Sequence, residues 1–275
     1  MEALFAHTYL ILFGKLAAGG LLALAVPPFH EMERGFYKST GVVYAFMAYI
    51  MAAGDAYLVW TYGTDGPVGI VGLIVWVIFA LLFTAYVATL YVEMPFLRAR
   101  IFPAAVLAGF LALAITATGY VPAGASISWA LPIAWVLMSG AVITGAAATG
   151  MLLGHWYLID TGLDLGPLNR MYAFCRVCLG IEVAVVLVAA MLVALWPSSP
   201  FAAGVTLALT GRYVLLVLGR LLAWALAALL LMLIGRTLAI PQTMAATGLF
   251  YILALTVAVG QIVAQWLLFR TGAPL

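Results

Sequence analysis

Apolar residues along this chain form eight long runs, separated by short segments that contain charged residues, glycine or proline. Each run has the length, about 20 residues or more, that a helix needs to cross a bilayer. The predicted spans are residues 5–26, 40–62, 68–91, 101–120, 128–155, 171–196, 205–235 and 243–269. Most prolines fall between the runs, where a helix ends without cost. The pattern therefore predicts an all-α polytopic membrane protein, a bundle of about eight transmembrane helices.

The composition agrees with this pattern and excludes other classes of protein. Hydrophobic residues make up 67% of the 275 residues and charged residues only 7%, with a mean hydropathy of +1.22. Soluble domains are roughly 25% charged, so a soluble protein is excluded. The net charge of +2 leaves no basic surface large enough for nucleic acid. We expect a single transmembrane domain over residues 1–275, with the lipid bilayer as its partner.

Basic residues are distributed unevenly among the connections between spans. The connections after spans one, three, five and seven contain Lys or Arg, whereas those after spans two, four and six contain none. Because basic loops stay in the cytoplasm, this predicts a multi-pass protein of the inner (cytoplasmic) membrane with both termini outside. The basic residues concerned are Arg34, Lys38, Arg98, Arg100, Arg170 and Arg236.

Several polar residues are predicted to share a depth near the outer face. Counted at 1.5 Å per residue, Asp55, Arg212 and Gln261 lie roughly 10–12 Å below the outer surface, with His7 and Gln265 above them. One hypothesis is a polar pocket where His7 and Asp55 exchange protons with a quinol. Arg212 or Gln261 would orient the quinol oxygens. The alternative is structural, with Asp55 and Arg212 forming an ion pair that stabilises the bundle.

Three further charged residues are predicted to lie near the middle of the membrane. Glu182 and Arg220 lie roughly 20–24 Å from the outer surface, and Lys15 lies at roughly 16 Å. Charged side chains at such depths usually face the bundle interior and pair with one another. Glu182 and Arg220 are therefore a predicted ion pair, and the alternative is that these residues line a transport path.

The remaining candidates for ligand chemistry lie at the predicted cytoplasmic ends of spans. His30 and His155 are positioned to hold a metal or a b-type haem between them. Cys175 and Cys178 form a Cys-x-x-Cys pair that would bind a metal with His155, although buried cysteines more often serve as small apolar residues. Three glycines leave one face of span five without bulky side chains, so that either a porphyrin or a neighbouring helix would be able to approach it closely. Its glycines are Gly145, Gly150 and Gly154.

The first and last spans resemble those of a known family. Residues 9–22 (YLILFGKLAAGGLL) resemble the opening Gly-x-x-Ala-Gly-Gly span of the membrane anchor subunits of DMSO-reductase and polysulfide-reductase type respiratory enzymes. Residues 260–265 (GQIVAQ), followed by Phe269 and Arg270, are similar to the Gly-Glu-x-Ile-Gly-Arg ending of the DMSO-reductase type. The resemblance implies a quinone site near one membrane face and electron transfer to an iron–sulfur partner subunit.

The resemblance has departures that limit what it implies. Gln261 and Gln265 stand where the ending of that family has Glu and Arg, and no His in the second outer loop matches the family's quinol residues. What carries over is a quinone pocket at the outer ends of spans one, two and eight.

Three functions follow from these observations. The first is a non-catalytic membrane subunit of a respiratory electron-transfer complex, which anchors other subunits and binds quinone near the outer face. The second is a small transporter or permease with a charged path at the midplane. The third is a b-type haem-binding membrane protein.

Overall fold

The chain is helical throughout its described length. The computed structural model describes residues 2–63, 69–92, 94–122, 124–160, 162–196, 199–211, 213–240 and 242–275. Within these ranges it contains nine α-helices, one short 3₁₀ helix at Ile127–Trp129 and no strand. The α-helices are α1 Glu2–Ala23, α2 Arg34–Tyr62, α3 Ile70–Tyr91, α4 Pro95–Thr118, α5 Ala130–Ile159, α6 Gly166–Leu195, α7 Ala202–Thr210, α8 Val214–Ala239 and α9 Thr243–Thr271.

Every described α-helix except α7 is long and apolar enough to cross a membrane. The prediction of an all-helical chain with eight helices suited to crossing a membrane is therefore confirmed for the described residues. Phe5, near the start of α1, packs against Trp266 and Phe269, near the end of α9, with ring centroids 5.3 and 5.9 Å apart. The two ends of the chain thus lie at the same end of the bundle, which we call the terminal face. The other end is the opposite face.

The predicted span over residues 205–235 is wrong in its extent. The structure divides this region into α7, which ends at Thr210, and α8, which begins at Val214. Gly211 between them has an extended backbone, and glycine is a poor helix former. The polar and glycine residues at 210–212 interrupt the apolar run here, but the apolar residues on both sides favoured one continuous span.

The helix α5 occupies the centre of the bundle, where it contacts α1, α6 and α9. Gly145 of α5 lies against the backbone of Gly19 and Gly20 in α1, and a Cβ atom at Gly145 or Gly19 would overlap the backbone of the other helix. Small residues allow such close approach of helices in membranes. The glycines of the first span therefore bring α1 and α5 into direct backbone contact.

The other two glycines of the span-five face are also covered. Gly150 lies against the ring of Phe250, and Gly154 lies against Thr247, whose hydroxyl donates a 3.0 Å hydrogen bond to the Gly154 carbonyl. The helix-packing interpretation of this glycine face is correct. The porphyrin interpretation is wrong there, because α1 and α9 fill the space.

Candidate functional site

The first of two buried polar groups lies near the terminal face, and we call it the terminal cluster: His7, Asp55 and Tyr120. The Nε2 atom of His7 lies 3.4 Å from Asp55 Oδ1, and Nδ1 of the same ring lies 3.2 Å from the Tyr120 hydroxyl. His7 is fully buried and Asp55 is 1% exposed. A histidine between a carboxylate and a phenol is suited to holding and passing a proton.

The contact between His7 and Asp55 is within ion-pair distance but lacks hydrogen-bond geometry. Neither His7 Nε2 nor Asp55 Oδ1 has a hydrogen-bond partner. Two buried polar atoms that face each other at 3.4 Å are close enough to share a proton after a small movement of either side chain. The pair is therefore not a saturated structural ion pair.

Tyr120 completes the terminal cluster from a turn that follows α4. Its backbone N–H donates to the Ala117 carbonyl at 3.2 Å, which carries the phenol into the bundle. Burial raises the pKa of Tyr120 well above its usual range, while its hydrogen bond with Thr8 opposes that rise. The phenol thus stays protonated at neutral pH. Sequence reasoning missed this residue, because a tyrosine at the end of a span is typical of an interfacial anchor.

The second group, which we call the central network, contains Lys15, Gln261, Glu182 and Arg220 from four different helices. Lys15 donates a 2.8 Å hydrogen bond from Nζ to Gln261 Oε1, and Gln261 Nε2 donates to Glu182 Oε1. Arg220 donates to the same Glu182 oxygen and forms an ion pair with it. All four residues are at most 4% exposed. The predicted Glu182–Arg220 pair is present, and the glutamine links it to Lys15.

Small residues make room for the central network. A Cβ atom at Gly140 of α5 would overlap the Gln261 amide and lie 3.0 Å from Lys15 Nζ. A Cβ atom at Gly260 would lie 3.3 Å from an Arg220 nitrogen. Both glycines therefore allow the polar side chains to cross between helices.

The polar residues that were predicted to lie together near the outer face divide between these two groups. The structure brings His7 and Asp55 together, but Gln261 belongs to the central network. Arg212 lies outside the described residues, so its predicted pairing with Asp55 stays a prediction. Gln265 is 2% exposed, and neither polar atom of its amide has a hydrogen-bond partner.

Two cavities adjoin the central network. The smaller, about 10 Å³, is lined by Glu182, Arg220 and Gln261 among others, and a polar cavity of this size holds about one water molecule. The larger, about 400 Å³, lies between α6, α7, α8 and α9 on the terminal side, with an apolar lining apart from Arg220 and Trp224. Its rim residues Leu187 and Leu209 are exposed, so it opens toward the lipid.

Arg220 and Trp224 line both cavities and therefore stand between them. The guanidinium of Arg220 lies over the Trp224 ring, 4.8 Å from its centroid. Arg220 Nε and Trp224 Nε1 are buried N–H groups without hydrogen-bond partners. Such groups are rare in folded proteins and often indicate a ligand or water position. Sequence reasoning missed Trp224, because one tryptophan in an apolar run carries no signal of its own.

The structure does not place His155, Cys175 and Cys178 together as a metal-binding group, and the pairing of His30 with His155 stays a prediction. His30 is 83% exposed and lies 3.5 Å from Glu31, whereas His155 contacts the Tyr251 hydroxyl at 3.2 Å. Cys175 and Cys178 are buried free thiols in the core. Among the described residues, no group of three or more His, Cys, Asp or Glu side chains is placed to hold a metal ion. The cysteines fit the apolar role that their position in a span also allowed.

Comparison with known proteins leaves the site to be interpreted from its own geometry. No family model, no curated protein and no solved structure matches the chain.

Proposed function

We propose that this chain is a membrane-embedded, non-catalytic subunit of a respiratory electron-transfer complex that binds quinone. It lies in the cytoplasmic membrane with both termini outside, because the basic connections mark the opposite face as cytoplasmic. It anchors partner subunits, and one of these exchanges electrons with the quinone. The terminal face is then the outer face, as the resemblance of the first and last spans also implies.

The observation that carries the proposal is the larger cavity, together with the unpartnered N–H groups of Arg220 and Trp224, which are buried behind its lining. A quinone has an apolar tail and a ring with two carbonyl oxygens. The cavity of about 400 Å³ is within the size range of small-molecule sites and opens toward the lipid, where quinones are dissolved. Movement of Arg220 or Trp224 would place its N–H donor within reach of a ring oxygen. The ligand thus supplies the hydrogen bonds that the protein leaves unmade.

Quinone chemistry also needs a route for protons, since reduction to quinol takes up two electrons and two protons. Glu182 lies beside Arg220, and Gln261 connects Glu182 to Lys15.

His7 precedes Lys15 by eight residues on α1, so the two lie on nearly the same face, about 12 Å apart along the axis. Gln265, one turn from Gln261 toward the terminal face, has an unpartnered amide.

In our proposal these side chains, which have no direct contact between the two groups, mark a polar route from the central network to the terminal cluster. Protons of the quinone reaction pass between Glu182 and the outer face along this route, with His7 and Asp55 as its outer end. Water molecules would bridge the gaps between neighbouring groups.

The test is to fill the cavity with a side chain. Ala190 lies in its lining, and Val188 on the same helix is exposed but does not line it. We expect the native chain, purified in mild detergent, to retain quinone, Ala190→Phe to lose at least about nine-tenths of it, and Val188→Phe to keep it. Extraction and chromatography measure the quinone. Absence of quinone from the native chain, or equal retention by Ala190→Phe, would contradict the proposal.

A further inference from the structure

A groove between α6 and α8 runs from the opposite face toward the middle of the bundle. Its volume is about 850 Å³, and most of its lining residues are apolar. On α6 the lining extends from Tyr172 to Leu187, a length of about 22 Å at 1.5 Å per residue. One leaflet of the hydrocarbon core is roughly 15 Å thick. The groove is therefore long enough to cover one leaflet and the adjoining interface.

Two arginines lie at the end of this groove that is nearest the opposite face. Arg236 lies in the last turn of α8, and Arg176 lies one turn from Tyr172 on α6. The Tyr172 hydroxyl lies close to Gly235, which places these residues at a similar level. Both arginines are exposed, and Arg176 lies 5.6 Å from the centroid of the Tyr172 ring.

The positive charge of the two arginines is not balanced within the described part of the chain. No carboxylate there forms an ion pair with Arg176 or Arg236. By contrast, Arg170 on the same helix is paired with Glu31 at 3.0 Å. Two unpaired guanidinium groups above an apolar groove complement an anion that carries an apolar chain.

Glycine keeps the groove open. A Cβ atom built at Gly180, in the middle of the α6 wall, would meet no atom within 4 Å. Glycine costs roughly 1 kcal/mol relative to alanine in a helix interior. No neighbouring residue therefore requires glycine at this position. The space beside it is open on the groove side, as expected if another molecule occupies that space.

We infer that this groove binds an anionic phospholipid. The phosphate lies between the guanidinium groups of Arg176 and Arg236, and one acyl chain lies along the wall past Gly180. Guanidinium groups recognise phosphate by paired hydrogen bonds, and basic pockets between transmembrane helices bind anionic headgroups. A quinone is a poorer match for this groove because it has no anionic group. The inference does not depend on the proposed quinone function, since Arg176, Gly180 and Arg236 do not line the cavity proposed for quinone.

The test compares lipids that differ in headgroup only. The purified, delipidated chain is mixed with phosphatidylglycerol or phosphatidylcholine of identical acyl chains, and its thermal unfolding is measured. We expect phosphatidylglycerol to raise the unfolding temperature and phosphatidylcholine to have little effect. Arg176→Gln with Arg236→Gln should abolish this difference. Arg100→Gln, an exposed arginine at the same face but outside the groove, should leave it unchanged.

A second variant keeps the charges and blocks the groove. Gly180→Leu places a side chain in open space, so the fold is retained, and the phosphatidylglycerol effect should fall at least about tenfold in apparent affinity. Equal effects of the two lipids on the native chain would overturn the inference. So would an unchanged preference for phosphatidylglycerol in both Gly180→Leu and the double variant Arg176→Gln with Arg236→Gln. An equal effect of inorganic phosphate alone would also overturn it, because that result indicates an anion site without an acyl chain.

Discussion

At the scale of single residues, the central network is defined by its balance of charges. Within the described residues it contains two cationic side chains, Lys15 and Arg220, and one carboxylate, Glu182. All three are buried among apolar helices. Gln261 accepts a hydrogen bond from Lys15 and donates one to Glu182, so the amide is held in one orientation. Removal of the carboxylate should therefore have a larger effect than removal of the lysine.

We predict that Glu182→Gln destabilises the chain by about 3–5 kcal/mol, the cost of leaving a buried charge without its partner. Lys15→Met leaves the Glu182–Arg220 pair intact and frees only one oxygen of Gln261, at about 1–3 kcal/mol. Unfolding midpoints of the purified variants measure both effects. The double variant should be more stable than the sum of the single effects predicts, because removal of Lys15 lowers the net charge of the Glu182→Gln network from +2 to the native +1. An equal or greater loss in Lys15→Met would be evidence against this account.

Opposite charge and matched depth in the sequence were sufficient to predict the Glu182–Arg220 pair, but not the grouping of every polar residue. Depth counting placed Gln261 with Asp55, whereas the glutamine contacts Lys15 and Glu182. Counting along straight helices ignores tilt and breaks, each of which shifts a side chain by a turn or more. The role of Tyr120 could not be predicted, because it depends on the turn after α4.

At the scale of helices, the contact between α1 and α5 depends on glycine. Gly145 and Gly19 meet backbone to backbone, so any side chain at either position must force the helices apart. Both polar groups include residues of α1, His7 and Lys15. A shift of α1 should therefore disturb the site as well as the fold.

We predict that Gly145→Val lowers the free energy of unfolding by about 3 kcal/mol or more, because overpacking against a rigid backbone cannot be relieved by a side-chain rotation. Gly219→Ala is the matched control, since a Cβ atom there meets nothing within 4 Å. The control should be neutral or slightly stabilising, in line with helix propensity. Thermal unfolding in detergent distinguishes the two variants, and equal stability of both would contradict the packing described here.

Most helices were predictable from apolar runs, whereas their ends were not. The helix α2 begins at Arg34 and α6 at Gly166, each several residues before the corresponding apolar run. The polar first turns of these helices extend beyond the hydrophobic segment, so hydropathy does not detect them. The separation of α7 from α8 depends on backbone conformation at Gly211, which an apolar run cannot reveal.

At the scale of the whole molecule, the orientation of the bundle determines which face receives the protons. The described segments around Arg34, Arg98 and Asp164 lie at the opposite face, and those around Ala125 and Ser199 lie at the terminal face. We predict that a reporter active only in the cytoplasm works when fused after Arg34, Arg98 or Asp164. It should be silent after Ala125 or Ser199. The reverse pattern would place the terminal cluster on the cytoplasmic side and contradict the proposed proton route.

The architecture of the molecule followed from composition and from the apolar runs, because every span must satisfy its backbone polar groups within a helix. The larger cavity did not follow from them. It arises where α6, α7 and α8 meet, and which helices meet depends on packing rather than on local pattern. The sequence therefore predicted a membrane bundle with buried charges, and the structure adds where an apolar ligand would approach them.

The most direct test of quinone binding is to label the protein with a photoreactive quinone analogue in its native membrane and to map the modified peptides. The account predicts labelling within residues 186–194 and 217–224, which line the larger cavity, and its loss in the presence of excess unmodified quinone. Labelling confined to other helices, or labelling that excess quinone does not prevent, would contradict it.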